Sequence, residues 1–117
     1  MALKTLGIAA EILRSLSYAD ISSSYAAVGG GLLYPSPIYS AQNQTDADLY
    51  WSWDGVNDNG FLPASGGHFI YDIATNRDDY QQDLGVPQGR ILYVRYSSSA
   101  PTLGSIYVTS LYSQRSS

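Results

Sequence analysis

His68 is the sole histidine, and the chain has no cysteine. Any nucleophilic hydrolase built on a hydroxyl and an imidazole must therefore use that one ring. It sits in Gly66-Gly67-His68-Phe69, a glycine turn entering an apolar segment. No Gly-x-Ser-x-Gly elbow accompanies it, so it reads as a turn or surface histidine and not as a base. Sites needing several imidazoles or any thiolate are excluded by composition. Carboxylates cluster at Asp46, Asp48, Asp54 and Asp58, and again at Asp78, Asp79 and Asp83. The run Asp54-Gly-Val-Asn57-Asp58-Asn59-Gly60 offers oxygens to calcium but does not follow the EF-hand spacing. Its other reading is turn chemistry, because Asp and Asn bond their own backbone in turns. Asp54 and Asp58 as a glycosidase pair would need a cleft and one raised pKa, which a small sandwich rarely supplies. Gly29 to Gly31 lack the lysine and Ser/Thr of a phosphate loop. Trp51, Trp53 and the tyrosines could stack on sugars, but two tryptophans on one strand face more often fill a core. The sequence thus offers no catalytic residue, no metal site and no cofactor.

The elements that carry these residues read as strands. In the stretch from Thr45 to Ile73, Leu49, Trp51 and Trp53 fall on one face, and Tyr50, Ser52 and Asp54 fall on the other. That period of two marks a half-buried strand. The stretch continues as turn, short strand, glycine turn and strand. Ile38 to Gln42, Arg90 to Tyr96 and Ser105 to Tyr112 are further strands, and Leu49, Trp51, Trp53, Leu92, Val94, Ile106 and Val108 are the expected core. Pro35-Ser36-Pro37 fits an edge or a corner between sheets. Asn76 to Gln88 is a polar surface loop with room for one helical turn at Asp78 to Gln82. Leu3, Leu6, Ala10 and Leu13 recur at helical spacing, so residues 1–16 predict a short helix, or an arm that orders against a neighbour. The expected fold is all-β: an antiparallel β-sandwich or jelly-roll-like barrel with a short N-terminal helix or extended arm. Residues 1–16 form the arm, 17–113 the sandwich and 114–117 a polar tail.

Composition narrows the partners. At 117 residues the chain supports one core. Charged residues make up only 14% and tyrosines number 11, a balance that suits contact with other proteins more than free solubility. A net charge of −4 argues against nucleic-acid binding. No run approaches the roughly 20 apolar residues of a membrane span. The weakly apolar N-terminus is interrupted by Glu11 and Arg14, so it is not read as a signal peptide. Leu3, Leu6, Leu13, Tyr18 and Tyr25 are the candidate interface residues.

Several segments carry a family likeness. They are Ile21-Ser-Ser-Ser-Tyr-Ala-Ala-Val-Gly29, Thr45-Asp-Ala-Asp-Leu49, Ser52-Trp-Asp-Gly-Val-Asn-Asp58, Phe61-Leu-Pro-Ala64, Tyr71-Asp-Ile73, Arg90-Ile-Leu-Tyr-Val-Arg-Tyr96 and Gly104-Ser-Ile-Tyr-Val108. Together they resemble the small all-β structural proteins encoded among the virion genes of tailed bacteriophages, over about residues 14 to 113. The resemblance implies a non-enzymatic virion protein, made in the host bacterial cytoplasm. Its place would be as a capsid decoration (cement) protein or as a head-tail or tail component. Its partners would be major capsid or head-tail proteins, and it would form a homo-oligomer. A carbohydrate- or receptor-binding module is the rival expectation, and a small hydrolase using His68 a third.

Overall fold

The computed structural model describes residues 5–72 and 85–116, with side chains from residue 8 through 112 of that range. Nine strands form among them: β1 (Thr5–Ala10), β2 (Arg14–Ser17), β3 (Ala26–Ala27), β4 (Ile38–Asn43), β5 (Leu49–Ser52), β6 (Gly60–Leu62), β7 (Gly67–Asp72), β8 (Tyr93–Tyr96) and β9 (Ser105–Ser116). All pairings are antiparallel. The larger sheet runs β1-β9-β4-β7, with β2 also on β9, and the smaller runs β3-β8-β5-β6. The two sheets pack as an all-β sandwich. The Thr45 to Ile73 stretch is divided between them: β5 and β6 pair in the smaller sheet, and the chain then crosses through Pro63–Gly66 to β7 in the larger.

The alternation of side chains explains the core. Leu49, Leu62, Leu92 and Val94 from the smaller layer meet Tyr39, Ala41, Ile106 and Val108 from the larger, all essentially without solvent contact. Trp51 and Trp53 are half-buried and pack against that cluster's margin. They meet edge-to-face at 5.2 Å, with Phe69 4.7 Å from Trp51 and Tyr39 5.5 Å from Trp53. Edge-to-face rings of this kind add to plain area burial. Gly60 lies against the Trp51 indole: a Cβ there would stand 2.1 Å from Nε1.

Fully buried Asn43 ties the layers together at the end of β4. Its Nδ2 donates to the carbonyls of Ala47, Leu62 and Pro63, and its Oδ1 accepts from the Thr45 amide and hydroxyl. A buried amide is tolerated because every partner is present.

Two expectations about the termini meet the structure differently. Of the two forms expected of residues 1–16, short helix or extended arm, the described part takes the extended one: β1 and β2 are successive pieces of one run along β9. A helix there would be short and weakened by Gly7. Pairing with β9 instead satisfies the backbone groups of both segments that face it, and leaves the outer edge open. The polar tail expected from residue 114 is strand through Ser116, because β1 offers it an antiparallel partner, with Thr5 opposite Ser116. The loop turn expected at Asp78 to Gln82 lies outside the described residues, as does Leu3.

Candidate interaction surface

Between β1 and β2, Ala10 faces Leu111 and Arg14 faces Val108. Three residues, Glu11 to Leu13, therefore oppose two, Thr109 and Ser110. This is a β-bulge, a device that bends a strand and re-aims its side chains. Here it turns Glu11 and Arg14 inward and leaves Ile12 and Leu13 outside, 81% and 57% exposed. The Arg14 guanidinium donates to the Glu11 carboxylate at 2.7 Å. It also donates to the carbonyls of Gly30 (2.9 Å) and Gly31 (3.0 Å). Glu11 in turn accepts from the amides of Leu33 and Tyr34. Burial alone would raise the Glu11 pKa. The Leu33 amide, Arg14 and the Tyr34 amide outweigh it and hold the carboxyl below its usual value.

This ion pair pins the glycine loop to the bulge and gathers exposed apolar groups around it. Leu33 is 64% exposed, and Tyr34 stacks on Tyr112 at 4.1 Å. Beyond this root, β4 pairs only residues 106–111 of β9. Residues 112–116 run on with β1 alone, as a two-stranded ribbon. The radius of gyration is 15.8 Å, against about 13 Å for a compact domain of this length, and the longest extent is 59 Å. Among the described residues, β1 has no strand on its outer edge. An unpaired edge with few charges is a template for further pairing.

A second exposed feature crosses the smaller sheet. Phe61, Tyr50 and Arg95 stand opposite one another across β6, β5 and β8. Arg95 lies over the rings of Tyr50 (4.8 Å) and Tyr25 (5.5 Å) and grips Asp58 with two bonds, 2.8 and 3.1 Å. Tyr25 donates its hydroxyl to the same carboxylate. Burial, then that bond to Asp58, pushes the Tyr25 phenol up to about 12.

The candidate chemical groups are engaged in turns. Asp54 accepts from the Asn57 and Val56 amides and the Ser52 hydroxyl, and these hold its carboxyl well below the carboxylate range. Asp46 accepts from the Thr102 hydroxyl and amide, and Asp48 from the Ala64 amide. Arg95, then Tyr25, depresses Asp58. Among the described residues, no three His, Asp or Glu side chains are grouped so as to hold a metal. His68 is exposed on β7, a ring nitrogen 3.2 Å from the Gly66 carbonyl, with Gln42 its cross-strand neighbour.

The candidate interface residues are not brought together. Leu13 is at the bulge, Tyr18 in a 3-10 turn after β2, and Tyr25 on the other sheet. The backbone of Leu6 pairs with Arg115 in the ribbon. Sequence reasoning missed Ile12, Leu33, Tyr34 and the Arg95 ladder. The cross-strand partners of Tyr50 become readable only once register is known. Against known proteins, no family model, no curated protein and no solved structure matches this chain.

Proposed function

We propose that this protein is a non-enzymatic structural component that joins a larger assembly through the β1–β9 ribbon and the bulge at its root. The single observation supporting this is the ribbon itself. A two-stranded ribbon alone is marginal in water, and this one carries an open edge beside exposed Ile12, Leu13, Leu33 and Tyr34. Such a projection gains its stability from a neighbour. The bacteriophage resemblance makes that assembly the virion, with capsid decoration first and a head-tail or tail position as the alternative. Many copies on a symmetric particle need only modest contacts each.

The test is incorporation into particles. Deleting residues 2–10, or placing Asp at Ile12 and Leu33, should abolish incorporation while near-UV circular dichroism of the sandwich persists. Normal incorporation of both folded variants would remove the ribbon from the interface.

A further inference from the structure

Three arginines have described side chains. Arg14 is paired with Glu11 and Arg95 with Asp58. Arg90 has no carboxylate partner among the described residues, and none of them accepts a hydrogen bond from its guanidinium. That guanidinium stands 5.3 Å over the half-exposed Trp53 ring. Two cavities flank the pair. One, of about 350 Å³, is walled by Tyr93 and Gln88; the other, of about 280 Å³, by Tyr71 and Val86; both include Trp53, Pro87 and Arg90.

A guanidinium over an indole is held in place by the ring, yet its N–H groups keep their preference for a planar carboxylate. The walls on either side are aromatic, which suits the C–H face of a sugar ring, and Gln88 can serve hydroxyl groups. The backbone here is already paired. Val86 exchanges both bonds with Ser36, Gly89 donates to Leu32, and Arg90 donates to Pro87. Strand addition by a peptide would need those groups free, so recognition falls to side chains. We propose that Trp53 and Arg90 form a binding site for an acidic saccharide, its ring carboxylate on Arg90 and its neighbouring rings in the two flanking cavities. The site is independent of the ribbon and of the proposed assembly role.

The experiment is titration of the full chain with a galacturonic acid trimer and with the neutral galactose trimer, followed by calorimetry and tryptophan fluorescence. The acidic trimer should bind, and the neutral one should bind at least about tenfold more weakly, the usual worth of a charge-assisted pair. Arg90→Gln should lower acidic binding to the neutral level, with the melting curve checked alongside. Equal binding of the two trimers, no heat from the acidic trimer up to about 10 mM, or a folded Arg90→Gln variant that binds as before would overturn the proposal. Triglutamate titrated into the unaltered chain needs no variant. Binding as tight as that of the acidic trimer would also overturn the saccharide assignment.

Discussion

Arg14 shows how much one side chain can carry. It is 8% exposed and reaches Glu11, Ser110 and two loop carbonyls. Removing one member of a buried pair strands the other, at about 3–5 kcal/mol. Arg14→Met should therefore lower the urea unfolding free energy by about that much. Glu11→Gln with Arg14→Met should cost less than Arg14→Met alone, because no charge is left unpaired. The carboxyls also set a pH response. Glu11, Asp46, Asp54 and Asp58 are all held below their ordinary values. Their stabilisation is complete above the unfolded pKa of about 4 and is lost as pH falls through the folded values. Tyr25 works in the other direction: its contribution is whole below pH 10 and fades as pH rises toward about 12. Melting temperature against pH should fall at both ends, and Tyr25→Phe should remove the alkaline loss that Tyr25 contributes. The Asp54 turn was legible in the sequence, since Asp-Gly-Val-Asn states its own bonding. The Glu11–Arg14 pair was not. Its spacing of three is what a helix surface would show, and the structure realises it across a bulge.

At the level of elements, the alternating segments were readable where their faces differ. Leu49 and Trp51 against Tyr50 announce β5, and Ile106 and Val108 announce β9. The division between sheets was not, because the crossing at Pro63–Gly66 depends on tertiary partners. β1 escaped for a related reason. Its ladder partner lies at the opposite end of the chain, and local periodicity says nothing of that. The two pieces on β9 should separate experimentally. Deleting residues 2–10 removes only β1, so the melting temperature should move little. Deleting 2–12 also removes Glu11 and leaves Arg14 buried with only neutral partners, the Gly30 and Gly31 carbonyls and the Ser110 hydroxyl. That chain should lose a further roughly 3–5 kcal/mol in urea titration. Equal losses would mean the bulge pair contributes nothing beyond β1.

For the whole molecule, the sandwich joins strands remote in sequence, so closing it is expected to be slow compared with helical domains of this size. Period-two alternation between Gly, Pro and Asn turns conveyed the class, and it reads correctly as all-β. What it could not convey is the projecting shape, which depends on β9 outrunning β4. The pairing of Thr5 with Ser116 has a practical consequence. With residues 1–4 and 117 removed, a short Asn-Gly loop could splice Ser116 to Thr5 as an ordinary hairpin, and the chain could be opened at the exposed turn near Val56. Such a circular permutant should fold to the same two layers. A neighbour that grips the ribbon by its flank would still accept the permutant, whereas one that threads past the tip would find the way closed.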